Sequence, residues 1–402
     1  MNVIERKQYS EKIDSWLGKG LIIVVTGQRR IGKSYIIKDF INRHHAEQDA
    51  NIIYIDKENR IFSYIQNQDD LDVYLKEKCV ANRHNYILID EVQDIAGWEH
   101  TLRSYRTESN TDIIITGSNS RMLSSELSTL LSGRYIEIPV QGLSYTEFLI
   151  FHQLEDTDNS LLQYLSLGGL PGLRLIGIND EEQVYEYQKS VFNTVLLKDI
   201  VERHSIRNIP FLNSLINYLA DTTGKPQSAT NISKYMKSQG QEISVNIVLD
   251  YLSFLCEAYM VKSVQRYDIH GKRLLENLYK YYFNDIGIRN HIIGGSREKD
   301  IEKVIETVVY QHLIRLGYHV TVGQLRVGEV DFVCQHHNQT RYVQVAYIIA
   351  DDETRQREFS RLAEIKDNYP KYVISATPLV KATDYEGITH LGLREFLKNG
   401  LL

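Results

Sequence analysis

An α/β fold built on a parallel sheet covered on both faces is predicted for the first part of this chain, followed by separately packed helical and α/β segments. Three observations predict it. Short runs rich in isoleucine and valine alternate with helical patterns over roughly the first 140 residues. Four of those runs are apolar almost throughout, as strands buried on both faces are. The length of 402 residues exceeds what a single compact core organises and suggests roughly two to four domains.

The strands are read at residues 21–27 (LIIVVTG), 51–56 (NIIYID), 85–91 (NYILIDE), 112–117 (DIIITG) and 134–140 (RYIEIPV). The first runs into GQRRIGKS, which matches G-x-x-x-x-G-K-[ST] through Gly27, Gly32, Lys33 and Ser34. Arg29, Arg30 and Lys33 would repel one another unless an anion joined them. Glycines let a backbone curl so that its N–H groups face phosphate oxygens, and the following helix adds its positive end. Lys33 would then reach the β- and γ-phosphates of ATP, and the Ser34 hydroxyl would ligate Mg2+. The expected binding set is Gly27, Gln28, Arg29, Arg30, Ile31, Gly32, Lys33, Ser34 and Tyr35. Arg29 and Arg30 are not fixed elements of the motif, so a partner, DNA or solvent stays open for them.

The third run ends in Asp90 and Glu91. A carboxylate at the tip of a buried strand can hold the magnesium water shell, and the next acid can take a proton from an attacking water. The fourth run ends in small polar groups, where Asn119 or Ser118 could orient that water; a turn with a helix N-cap is equally open. Arg134, entering the fifth strand, reads either as an arginine finger or sensor for the γ-phosphate, in its own site or a neighbour's, or as a solvated strand-end arginine.

Together TGQRRIGKS, ILIDEVQDI, ITGSNSRMLSSELSTLLSGRY and GLSYTEF resemble the prokaryotic AAA-type ATPases that carry a C-terminal domain of unknown function 4143. VFNTVLLKDIVERHSIRN, YYFNDIGIRN and EVDFV are similar to further blocks of that family, in the same order. The resemblance implies an additional-strand P-loop NTPase fold and an ATPase with Glu91 as its catalytic glutamate. It carries over Gly27, Gly32, Lys33, Ser34, Asp90 and Glu91, while Asn119 and Arg134 match softer positions. Related ATPases often form rings or clamps, so a homo-oligomer is an open expectation that no residue here demands.

Beyond this P-loop domain, residues 1–142, the expected order is a helical lid-like region at 143–208, a winged helix at 209–290 and an α/β domain at 291–402. Apolar residues recur at helical spacing through YEYQKSVFNTVLLKDIVERH, and GGLPG at 168–172 reads as a hinge or an interhelical turn. Two short helices and two β-like runs around DIHGK spell a winged helix-turn-helix, a fold that can bind duplex DNA. Its basic footprint is slight: Lys225 to Arg273 holds seven Lys/Arg against four Asp/Glu. Lys262, Arg266, Lys272 and Arg273 are the candidates for phosphate contact; a solvated wing or a protein-docking surface is an equal reading.

The last segment resembles the restriction-endonuclease-like core, in which a helix glutamate, a strand aspartate and an E-x-K motif hold magnesium. Glu306 and Asp331 supply the first two elements, but Gln344 and Ala346 stand where E-x-K would fall. A nuclease-like fold without nuclease activity is therefore expected unless a migrated residue such as Glu329 restores it. CQHH, Cys334 to His337, reads as a strand end because no second ligand pair lies at zinc spacing.

Composition narrows the classes. Hydrophobic residues at 43% and charged residues at 24% describe an ordinary globular chain, and a net charge of −6 argues against one coated in nucleic acid. Three scattered cysteines, Cys79, Cys256 and Cys334, form no disulfide framework and fit a reducing cytoplasm. No apolar run approaches the ~18 residues of a membrane span, and the polar start MNVIERKQYSEKIDSW does not read as a signal peptide. An ATP-hydrolysing enzyme is the first expectation. A nucleotide-gated switch with little turnover and an ATP-controlled, magnesium-dependent nuclease are the alternatives.

Overall fold

The computed structural model describes residues 4–45, 49–108, 110–118, 131, 133–295, 298–349, 352–377 and 383–401. The chain divides into two compact units, Met1–Gln141 with Glu257–Tyr259, and Gly142–Cys256 with Met260–Leu402.

The first unit carries the five predicted strands: β1 (Ile22–Thr26), β2 (Ala50–Asp56), β3 (His84–Asp90), β4 (Thr111–Gly117) and β5 (Tyr135–Pro139). They lie in the order β2-β3-β4-β1-β5, and every pairing is parallel. Strand β4 thus stands between β1 and β3. Helices α1 (Lys7–Asp14), α2 (Lys33–His44), α3 (Gln68–Lys78) and α4 (Trp98–Tyr105) accompany the sheet. Because strand side chains alternate between faces, Ile22, Val24, Ile87, Ile89, Ile113 and Ile115 share one core with Leu71 and Leu75 of α3 and Trp98 and Leu102 of α4. The alternate positions Ile23, Val25, Leu88 and Ile114 are buried too. That double burial is why these runs show no polar alternation.

The second unit begins with helices Tyr145–His152, Asp158–Leu167 and Glu181–Thr194. Ser144 caps the first through a reciprocal pair with Glu147. The long helical pattern read through residues 185–204 changes pitch at Val195–Glu202, a π-helical stretch that buries Val195, Leu196, Asp199 and Ile200. GGLPG forms a tight joint: Asp285 Oδ2 accepts from Gly169 N–H at 2.8 Å while its Oδ1 accepts from Ile288 N–H at 2.9 Å.

Helices Ile209–Asp221, Ala229–Ser238 and Val245–Glu257 follow, then the hairpin of β6 (Val261–Asp268) and β7 (Arg273–Phe283). This hairpin continues into the sheet of the last segment, because β6 pairs in parallel with β8 (His319–Gln324). With β9 (Glu329–His336), β10 (Gln339–Ala346), β11 (Lys371–Ser375), β12 (Thr383–Tyr385) and β13 (Ile388–Gly392), it makes one eight-stranded sheet, ordered β12-β13-β11-β10-β9-β8-β6-β7. Helix Ile301–Arg315 precedes β8, and helix Asp352–Ala363 joins β10 to β11. Cys334–His337 closes β9 and enters a turn. Among the described residues no helix is long and apolar enough to cross a membrane.

Candidate functional site

At the carboxyl end of β1 the chain makes a tight loop. Gly27 has φ +143°, and a Cβ there would stand 2.4 Å from the Val140 carbonyl oxygen. Gly32, at φ +98°, is the left-handed N-cap of α2, and no side chain caps that helix. Tyr35 N–H donates to the Gly32 carbonyl at 3.1 Å, and the N–H groups of Lys33 and Ser34, the first two helical residues, precede any i−4 acceptor within the helix. Arg6 Nη1 donates to the Ile31 carbonyl at 3.3 Å and braces the loop from α1's end.

Lys33 is turned back into this loop. Its Nζ donates to the Gly27 and Gln28 carbonyls, each at 3.2 Å, and lies 3.5 Å from Glu91 Oε1 with the two side chains only 4% and 8% exposed. Gln28 is buried too, and its Oε1 has no hydrogen-bond partner among the described residues. Arg29 reaches out to Glu58 at 3.4 Å. Arg30 takes φ +66°, and Tyr35 is exposed on α2.

The interposed strand β4 links the two acids. Thr116 Oγ1 donates to Asp90 Oδ1 and accepts from the Glu91 N–H at 2.9 Å. Burial raises Asp90 above the usual carboxylate range, Ser34 and Thr116 only partly opposing it. Glu91 behaves in the opposite way: burial would raise it, but the Lys33 ammonium, the Gln93 amide and Arg29 outweigh that and hold it low. Glu91 also sits at φ +56°, a conformation that costs of order 1–3 kcal/mol in a non-glycine residue and concentrates at functional positions. The site is therefore a buried ammonium, an uncapped helix start and two carboxylates with opposite proton affinities. It lies at the carboxyl ends of a parallel sheet, where α/β folds bind ligands.

A family profile described as an AAA domain matches residues 19–149. An uncharacterized protein of Haemophilus influenzae is 33% identical over 395 residues, 96% of each chain. Residues 19–149 belong to the AAA-domain family, and the chain as a whole belongs to one family with the Haemophilus protein. The uncharacterized protein MJ1544 of Methanocaldococcus jannaschii is 29% identical over 362 residues, 86% of this AAA-type chain and 79% of its own. Among solved structures, the Walker-type ATPase PABY2304 of Pyrococcus abyssi shares the fold with a TM-score of 0.52 at 17% identity, over 72% of this chain and 95% of that one. A second profile, Domain of unknown function (DUF8612), matches residues 158–299.

Of the sequence-predicted residues, the AAA-type site brings together Gly27, Gln28, Ile31, Gly32, Lys33, Ser34, Asp90 and Glu91. Asn119 lies outside the described residues. Arg134 is not brought in, which corrects its reading as a finger for its own site. It precedes β5 and its carbonyl accepts from Ile22 N–H, at the end of the sheet opposite the loop. The intervening strand of five residues spans about 16 Å at ~3.3 Å per residue, beyond a guanidinium's reach. Arg134 instead lines a cavity of about 400 Å³ with Arg103 and Arg106. Burial and the neighbouring Arg134 and Arg103 charges lower the Arg106 guanidinium. Thr116, Gln93 and Tyr54, whose hydroxyl donates to Asp90 Oδ2 at 3.5 Å, escaped the sequence reading. A threonine one position before the end of β4 was the available signal for the first.

Proposed function

We propose that the chain is a magnesium-dependent ATP hydrolase. The observation that carries this reading is the burial of Lys33 against Glu91, with Asp90 beside it, at the glycine loop that opens the helix carrying Ser34. The residues fit a magnesium-triphosphate: a Cβ at Gly27 would collide with the loop's own surroundings, and the buried ammonium pairs with Glu91 at 3.5 Å, a carboxylate that phosphate oxygens can replace. Ser34 and Asp90 would hold the metal between them. Magnesium is commonly held through one or two side chains and substrate phosphates. When bound, magnesium neutralises phosphate charge and helps align the leaving oxygens.

Lys33 exchanges Glu91 for phosphate oxygens when the substrate arrives. That removes the strongest influence holding Glu91 low, so its proton affinity rises as it is needed. Glu91 then accepts a proton from the attacking water as that water's oxygen bonds to the terminal phosphorus and the bond to the β–γ bridging oxygen breaks. Thr116 holds the Glu91 backbone and Asp90 in register throughout. Calorimetry tests the binding step: Lys33→Ala should lose ATP affinity while circular dichroism and melting stay cooperative. Unchanged affinity would refute the loop assignment. Negligible turnover with tight ATP retention in the wild type would favour the nucleotide-gated switch.

In the second unit, three helices and a hairpin support the winged-helix reading. The order of helix Ile301–Arg315, β8, β9, β10, helix Asp352–Ala363 and β11 supports the restriction-endonuclease-like one. Duplex DNA is the partner this reading suggests. Of the four candidate cations, Arg266 is engaged with Gln324, and Arg273 lies 3.9 Å from Asp268. Lys272 is exposed at the hairpin tip. ATP turnover rising on addition of duplex would support the partner, and indifference would refute it. A finger role for Arg134 requires a second copy of the chain, so the same reading includes a homo-oligomer.

A further inference from the structure

The second unit contains a charged cluster that the ATPase reading does not use. Glu306 on helix Ile301–Arg315 and Glu329 and Asp331 on β9 converge, the positions the nuclease resemblance singled out. They converge on a lysine. Lys280 Nζ stands 2.9 Å from Glu329 Oε1, 3.0 Å from Glu306 Oε1 and 3.7 Å from Asp331 Oδ1, with its side chain 2% exposed. It arrives from β7, which β6 and β8 separate from β9 in the sheet.

We infer that the Lys280 ammonium is the permanent cation of this pocket, standing where a nuclease-like fold holds a divalent metal, so that the C-terminal unit is closed to metal and carries no hydrolytic centre. An ammonium has three donors, and three carboxylates surround this one. The separations of the two glutamates are those of charge-assisted hydrogen bonds, whereas magnesium draws oxygens to about 2.0–2.1 Å. A metal could enter only by expelling a buried lysine.

The remaining valences are filled by neighbours. Tyr282 hydroxyl donates to Glu306 Oε1 at 2.6 Å, and Val345 N–H donates to Asp331 Oδ2 at 2.8 Å. Gln344, at the position where E-x-K would put its acid, offers its oxygen to Asp331 N–H at 3.4 Å and its amide to Glu358 at 3.1 Å. Burial would lower Lys280, but Glu306, Asp331 and Glu329 more than offset it and keep the ammonium charged. Burial and the Glu306 carboxylate raise Asp331 above the usual carboxylate range, with Lys280 opposing them. The cluster thus adds ion pairs between β7, the helix and β9 to the Tyr282 hydrogen bond and the packing of its ring on Tyr310.

The test is Mn2+ uptake by the full-length, nucleotide-free chain, followed by electron paramagnetic resonance. Wild type and Asp331→Asn should titrate alike, since no metal sits at Asp331. Lys280→Met should gain a single Mn2+ site that Lys280→Met/Asp331→Asn loses again. Three results overturn the inference: Mn2+ uptake in the wild type that Asp331→Asn abolishes, magnesium-dependent plasmid cleavage that Asp331→Asn abolishes, or a folded Lys280→Met chain that takes up no Mn2+. If Lys280→Met does not fold, the comparison of wild type with Asp331→Asn decides alone.

Discussion

Replacing Lys33 by methionine, in the nucleotide-free chain, should destabilise it mainly by stranding Glu91. Lys33 Nζ and Glu91 Oε1 are 3.5 Å apart, and both side chains are almost fully buried. At an effective dielectric near 20, that separation corresponds to an attraction of about 5 kcal/mol. Desolvation of both charges offsets much of it, so the net pairing energy should be ~1–3 kcal/mol. Removing the lysine alone costs more, about 3–5 kcal/mol, because the carboxylate is left buried and must take up a proton. Lys33→Met also loses the donors to the Gly27 and Gln28 carbonyls. Urea unfolding of wild type, Lys33→Met, Glu91→Gln and the double variant closes a mutant cycle. The double variant should be markedly more stable than the sum of the single losses implies. A coupling under about 0.5 kcal/mol, within the additivity expected of independent sites, would refute the reasoning that these two groups form one buried electrostatic unit.

Gly27→Ala should lose nucleotide binding and about 1–3 kcal/mol of stability, because the new Cβ meets the Val140 carbonyl and the residue keeps a φ that side chains disfavour; calorimetry with denaturant unfolding checks both. Arg134→Ala should leave the ATP affinity of the isolated chain unchanged, and a large loss there would show that this edge of the sheet does reach the loop. His312 is buried edge-on to Phe396 with both ring nitrogens unpaired among the described residues, and burial, aided by Arg315, lowers it to about 3. Its neutral form is the one that folds, so its contribution is whole above about pH 6.5 and is lost as pH falls towards the folded value; the loss reaches about 2 kcal/mol by pH 5. Asp331 and Asp285, both raised by burial, act with the opposite sign. The readout is therefore the difference between wild type and His312→Leu, whose stability should fall less on acidification.

The five strands of the first unit were legible because burial on both faces leaves each run apolar from end to end. Their order was not, since nothing in a strand's own residues says that β4 lies between β1 and β3. That insertion is what delivers Thr116 to both acids. The glycine loop was legible because its backbone demands residues that few other structures need at that spacing. For Arg134 the sequence left three roles open, and only the parallel sheet, which puts the entry of β5 at the end opposite the loop, removes the own-site one. Glu306 and Asp331 were read as partners from their places on a helix and a strand. Lys280 escaped, because it sits in a hairpin read as a wing, and only the continuation of that hairpin into the eight-stranded sheet brings it to β9.

The central claim is that Glu91 activates water at a triphosphate held by the glycine loop and Lys33. Rapid-quench measurement of ATP cleavage by wild type and Glu91→Gln, with bound nucleotide quantified in the same samples, tests it most directly. The account predicts magnesium-dependent phosphate release by the wild type, and ATP retained intact by Glu91→Gln with cleavage slowed about 10²–10⁴-fold. Cleavage by Glu91→Gln at the wild-type rate would contradict the claim.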